Sequence, residues 1–306
     1  MMNKPIMIII AVVVLAGSAL GCCTLPRLPS IRIPEIEINV PELEVGELRE
    51  QQEVVPLGDA DRAEVEIVFG AGVLNIEQGS PDELLSGAFS YNVAEWQPQI
   101  TQEDDRLEVR QGGTRDNWGI PTGRVGTIRN EWALALSPAV PLDLDIKAGA
   151  GQGTLDLSGL QLTSLAMTMG AGDFEILFDD PNPAELARLT LDTGASSLEI
   201  TGIGNAAPRY LKVQGGAGDL TLDFSGAWPE SATIDIAAGV GSLTLRLPAG
   251  IGVEVETRGA VAPVEAEGFE KSGNTYVNGA FGKAEIELRI EVTLGVGEIR
   301  LIEIAD

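Results

Sequence analysis

A Gly-x-Gly turn recurs along the chain with apolar residues at fixed offsets on both sides, and this repeat leaves few folds open. With the first glycine numbered zero, apolar residues fall at −5, −3, +4 and +6. Around Gly70 these are Val65, Ile67, Leu74 and Ile76, and around Gly170 they are Leu165, Met167, Phe174 and Ile176. Gly216, Gly239 and Gly295 carry the same four apolar places, and so does Gly194, where Ser196 stands for the second glycine. At Gly149 the first pair is Leu144 and Ile146; Gln152-Gly153 reads as an insertion that moves the second pair to Leu155 and Leu157. The glycines at 149, 170, 194, 216 and 239 are 21, 24, 22 and 23 residues apart.

A period in this range is that of a solenoid, in which each unit buries its apolar side only by stacking on its neighbours. Each half of the unit alternates with period two, as strands do, with polar residues such as Asp145, Glu175, Glu199, Asp235 and Arg300 at the outward places. Glycine suits the bend because it alone takes positive φ without a steric penalty. The expected fold class is therefore all-β: a parallel β-helix-like solenoid of about 22-residue coils. A leucine-rich repeat would need its recurrent Asn or Cys and a helical half. The calcium-binding nonapeptide is approached once, at Gly215–Leu222, with Asp219 one position early.

Upstream of the repeat, residues 6–25 are apolar throughout and run into Ala19-Leu20-Gly21-Cys22. This is the pattern of a secretory signal, and the small residue before Cys22 resembles a lipobox, with its leucine at Leu20 one place nearer the cysteine than usual. Cys22 is the expected lipidation site. An uncleaved membrane anchor is the rival reading, because about twenty apolar residues match a bilayer core. A cleaved, freely secreted form is the third reading; all three place the body outside the cytoplasm, and the first two anchor it at its N-terminus. Cys22 and Cys23 are the only cysteines, so no disulfide is expected in the folded part.

Four regions follow: 1–21 as signal or anchor, 22–56 as a tether, 57–140 as an N-terminal β cap region, and 141–306 as the solenoid. The tether reading rests on Pro26, Pro29, Pro34 and Pro41 among glutamates, with an edge strand over 31–45 as the alternative. The cap reading rests on Tyr91, Trp96, Trp118 and Trp132, which gather where the repeat is broken and can cover a terminal apolar rung.

Charge removes several functions. The chain of 306 residues has 20 Lys+Arg, 46 Asp+Glu and no histidine, a net charge of −26. Histidine-dependent triads, metal sites and pH switches are absent by composition, and nucleic acid is an unfavourable partner. No cofactor or metal is expected. One stretch runs against the trend: residues 106–130 hold five arginines against Glu108 and Asp116. Arg110, Arg115, Trp118, Arg124 and Arg129 are the candidate binding residues, since guanidinium forks and an indole on a loop suit an anionic or sugar-bearing polymer. The competing expectation is that these arginines pair with the acidic body. Asp179-Asp180 with Asn182 reads either as a cation loop or as a plain turn, the turn being favoured.

The segment Glu66–Ile100, with Phe69-Gly70-Ala71-Gly72, Leu84-Leu85, Gly87, Phe89 and Pro98, followed by Trp132 to Pro141, resembles the toast-rack family of bacterial surface proteins. From about Val240 the chain resembles the C-terminal domain of membrane proteins that respond to cell-wall-active antibiotics, and the adhesin-like β-solenoids more broadly. The resemblance implies a right-handed solenoid on an envelope-anchored protein and supplies no catalytic residues. The expected role is non-enzymatic: surface adhesion, scaffolding or polymer binding, with the membrane and a wall polymer or membrane protein as partners. The alternatives are a regulator of envelope stress acting on a membrane partner, and a carbohydrate-active β-helix enzyme built on paired carboxylates.

Overall fold

A computed structural model describes residues 45–113, 128–259 and 263–305 of the chain. The signal or anchor, Cys22, and the tether as far as residue 44 lie outside the described residues. All of the described residues belong to one compact unit, Pro41–Asp306.

The fold is an all-β solenoid. In chain order the strands are β1 (Val45–Pro56), β2 (Ala63–Gln78), β3 (Glu83–Val93), β4 (Pro98–Glu103), β5 (Arg106–Gln111), β6 (Asn130–Leu136), β7 (Pro141–Asp156) and β8 (Gln161–Leu177). They continue as β9 (Arg188–Thr201), β10 (Tyr210–Asp223), β11 (Ala232–Pro248), β12 (Gly252–Arg258), β13 (Val264–Glu267), β14 (Phe269–Ser272), β15 (Thr275–Asn278) and β16 (Glu287–Ile304). One short helix, α1, spans Ile203–Ala206.

Strands β7 to β11 each pass through a Gly-x-Gly or Gly-x-Ser corner and pair in parallel with the next, one coil per strand. The alternation read from the sequence is the burial pattern. Leu144, Leu165, Leu189, Leu211 and Ile234 occupy the −5 place in unbroken register, each almost wholly buried. Burial of one such side chain contributes about 1.5–3 kcal/mol, so the stacked rows are the main source of stability. At the corner the backbones stack as closely as glycine allows: a Cβ on Gly172, whose φ is +133°, would lie 1.6 Å from the Gly151 carbonyl oxygen.

On the side where one coil leads to the next, asparagine amides join the rungs. Asn182 Nδ2 donates to the Leu162 carbonyl at 2.8 Å, and its Oδ1 accepts from Leu162 N–H at 3.0 Å. Asn205 Nδ2 donates to the Phe178 carbonyl at 2.8 Å, and its Oδ1 accepts from Ala227 N–H at 3.0 Å. Its amide engaged in this way, Asn182 ties the connection between β8 and β9 to the preceding coil, and Asp179–Asn182 form neither strand nor helix.

Two features differ from the sequence expectation. No insertion follows Gly149: the β7–β8 ladder runs Gln152↔Asp173, Gly153↔Phe174 and Leu155↔Ile176 without a shift. Gly153 takes the +4 core place because a side chain there would strike the Leu74 carbonyl, 1.9 Å from an added Cβ. Leu155 is the +6 residue, and Leu157 is a buried residue of the following turn. Secondly, the last twelve residues of the stretch read as a tether form β1, which pairs antiparallel with β3.

Both ends of the stack are closed by an excursion. After β2 the chain leaves through β3–β6 and returns as β7 on the other side of β2. The two short strands β5 and β6 then make the outer coil, with Leu107 and Val109 beside Val65 and Ile67, and Trp132 and Leu134 beside Leu74 and Ile76. The C-terminal end repeats the device. Strand β16 lies between β11 and the pair β12 and β13, so that Val255 neighbours Ile290 and Val264 neighbours Ile299. A single hydrophobic core runs from Val55 to Leu301 across the 140/141 boundary.

Candidate binding site at the outer coil

The outer coil made by β5 and β6 has a lengthened corner. Residues 110–131, 22 positions, separate Val109 from Trp132, where an intact coil has six between Ile67 and Leu74. The corner is therefore sixteen residues longer, and the extra chain carries the basic stretch.

Two amides replace the missing Gly-x-Gly backbone. Gln111 Oε1 accepts from Gly70 N–H at 2.8 Å and from Ala71 N–H at 3.3 Å, groups that would otherwise face an open end. Asn130 Nδ2 donates to the Ala71 carbonyl at 2.7 Å and to Gln111 Oε1 at 2.9 Å. Asn130 Oδ1 in turn accepts from Trp132 Nε1 at 3.1 Å. Buried amide groups cost free energy unless paired, and here each pairs with a corner that lacks its next rung.

Aromatic residues close the space below. The Trp132 ring meets Phe69 and Phe89 edge to face at centroid distances of 5.2 and 5.1 Å, and Tyr91 and Trp96 are buried beside this end of the core. This is the capping role expected for them; Trp118 lies outside the described residues. The stems of the interrupted corner are fastened to the cap. Arg129 N–H donates to Asn92 Oδ1 at 2.7 Å, Asn92 N–H to the Arg129 carbonyl at 3.1 Å, and Gly112 N–H to the Gln97 carbonyl at 3.1 Å.

Of the five binding candidates, Arg115, Trp118 and Arg124 lie outside the described residues. The other two are engaged within the fold: Arg110 Nε with Glu108, and Arg129 Nε with Glu131 at 3.6 Å. Arg106, at the base of β5, bridges Glu64 at 3.0 Å and Glu66 at 2.6 Å, and Lys147 reaches Glu66 and Asp145, both at 2.8 Å. The Lys147 hydrogen bond, supported by Arg106, holds the Glu66 carboxyl below its ordinary value against the opposing effect of burial. Lys147 is raised, first by Asp145 and then by Glu66. Of the described arginines, Arg106 thus pairs with acids of β2, whereas Arg110 and Arg129 each pair with a glutamate two positions away in sequence.

A second surface feature went unread in the sequence. Beyond the corners of β2, β7, β8 and β9, the surface holds an open groove of about 420 Å³ whose wall includes Asn75, Gln152, Thr154, Ser197, Asp173, Glu175 and Glu199. Its signal was the small residue at Gly153. Asp173, Glu175 and Glu199 are exposed, while acid–base chemistry on a glycosidic bond requires one carboxyl screened from water. Among the described residues no group of acids is placed to hold a metal, and no helix is long and apolar enough to cross a membrane.

The family model described as the N-terminal domain of toast-rack matches residues 44–201 and 185–246, together 203 of the 306 residues. A "putative cell adhesion protein" from Clostridium sporogenes is 25% identical; the likeness covers 84% of this chain and all of that one, with a TM-score of 0.48. A "putative adhesin" from Bacteroides fragilis is 14% identical over 84% of this chain and 97% of its own, with a TM-score of 0.41. No curated protein matches the chain.

Proposed function

The chain belongs to the toast-rack family, and from that premise we propose that it is a non-enzymatic, extracytoplasmic surface protein, anchored at its N-terminus, that binds an envelope or surface polymer. The observation that carries this reading is the interrupted outer corner. Sixteen more residues separate Val109 from Trp132 than separate Ile67 from Leu74, and the described residues on either side of them, Gly112 and Arg129, are hydrogen-bonded to the cap. A solenoid supplies a rigid support, and binding residues concentrate on loops held by such supports. Arg115, Arg124 and Trp118 are the groups proposed to grip an anionic or sugar-bearing chain. Adhesion or scaffolding follows from holding that polymer at a fixed distance from the membrane.

The experiment is incubation of the full-length protein, in detergent, with purified wall polymers. Retention on the polymer with no release of reducing ends supports a binding module, and release of reducing ends would assign an enzyme. Anchoring has its own test. A clickable fatty acid should label the wild type and not Cys22→Ala; label that survives the substitution would remove the lipoprotein reading.

A further inference from the structure

The two ends of the sheet are finished differently. At the C-terminal end the outermost strands, β13 and β14, have four residues each, too short to template another chain. At the N-terminal end β1, twelve residues long, is the last strand, and among the described residues it is paired on one side alone, with β3. Its register is regular from Arg49 to Val55. Three of the five exposed large apolar residues of the described chain lie on it: Val45, Leu48 (49% exposed) and Val54 (56% exposed). Arg49 is exposed and has no acidic partner among the described residues, although the chain as a whole has more than two acids for each base. An open edge with apolar and unpaired charged residues pairs readily with another strand.

We propose that β1 is the docking edge for a second copy of this chain, joined antiparallel about a two-fold axis through Gln51. A two-fold axis perpendicular to a sheet keeps each face on its own side, so opposed residue numbers must sum to an even value. The sum of 102 places Arg49 opposite Glu53 of the partner subunit and Leu48 opposite the partner's Val54. Both relations occur twice by symmetry. This register joins the two most exposed apolar residues of the strand and gives Arg49 the acid it lacks. The sum of 98 would oppose Arg49 to itself, and the sum of 100 would oppose Glu47 to the partner's Glu53. The chain's own upstream segment is a poorer occupant. Residues 31–44 carry Glu35, Glu37, Glu42 and Glu44 and the single base Arg32 against Glu47, Glu50 and Glu53 of β1, and Pro34 and Pro41 remove ladder donors.

The test is sedimentation of the full-length chain in detergent over a range of concentrations. The wild type dimerises; Arg49→Glu and Glu53→Arg each weaken the dimer about tenfold or more, with unchanged circular dichroism because both side chains lie on the edge strand. Mixing the two variants restores dimerisation, since each then meets the opposite charge. Deletion of residues 31–40 leaves the dimer unchanged. A wild type that stays monomeric at every concentration, a dimer indifferent to either substitution, or a mixture that fails to recover overturns the proposal. A monomer that dimerises only after the deletion overturns it too, and assigns the edge to the upstream segment.

Discussion

Gly241 stacks on Gly218 so closely that a Cβ added to Gly241 would lie 1.7 Å from the Gly218 carbonyl oxygen, and its φ of +143° is one that side chains rarely adopt. The corner is thus closed to any other residue on two counts. Gly241→Ala should cost more than about 3 kcal/mol or prevent folding. Gly273→Ala, at φ +64° with nothing within 4 Å of the added carbon, should cost about 1–2 kcal/mol from backbone strain alone. Chemical denaturation of the two variants separates close stacking from strain.

Two adjacent glycines of β10 should respond with opposite signs. A Cβ on Gly216 would meet the Gly194 carbonyl at 2.4 Å. One on Gly215 would meet the flexible Leu220 Cδ1 at 3.0 Å and Ala238 Cβ at 3.5 Å, beside a void of about 10 Å³. Gly215→Ala should stabilise by roughly 0.5–1 kcal/mol through the unfolded state and the filled space. Gly216→Ala should destabilise by more than about 3 kcal/mol. Midpoints of thermal unfolding give both signs in one experiment.

The amide cap predicts a local effect. Gln111→Leu keeps the volume of the side chain and removes the acceptor for Gly70 and Ala71 N–H. Leaving two backbone donors without it should cost about 2–3 kcal/mol. Hydrogen exchange should quicken at Gly70 and Ala71 while the amides of β9 and β10 keep their protection under native conditions.

Glu66 supplies a pH dependence. Its carboxyl is held below the ordinary 4.5 by Lys147 and then Arg106, so the folded state favours the ionised form. A lowered carboxylate contributes stability above its unfolded value and loses it as the pH falls through the folded one. Glu66→Gln should therefore cost roughly 1 kcal/mol at neutral pH, discounted for partners that are half exposed, and the difference from the wild type should shrink as acid protonates the folded-state carboxyl. Urea titrations of both proteins across this range give the difference directly.

How far the sequence discloses this molecule depends on whether a feature is local. The rows of Leu165, Met167, Phe174 and Ile176 are legible because each coil repeats them at fixed offsets. The coil of β12 and β13 is not, since Gly259-Ala260-Val261 has no Gly-x-Gly to align. The reversed strand order at both ends is equally silent, because it depends on which coil β7 and β16 return to. Gly153 misleads because an apolar alignment passes over a glycine in a core slot. Gln111 and Asn130, nineteen residues apart, look like loop polars until their shared corner is seen. Arg110 and Arg129 are recognisable as basic, but their pairing with Glu108 and Glu131 appears only in the folded chain.

The central claim is that the lengthened outer corner grips an envelope polymer. Its most direct test is co-sedimentation of the full-length protein with purified anionic wall polymer, comparing the wild type with the double substitution Arg115→Ala/Arg124→Ala. Loss of two guanidinium contacts should weaken retention by about tenfold or more and flatten its dependence on salt. Equal retention of the two proteins at every salt concentration would contradict the claim.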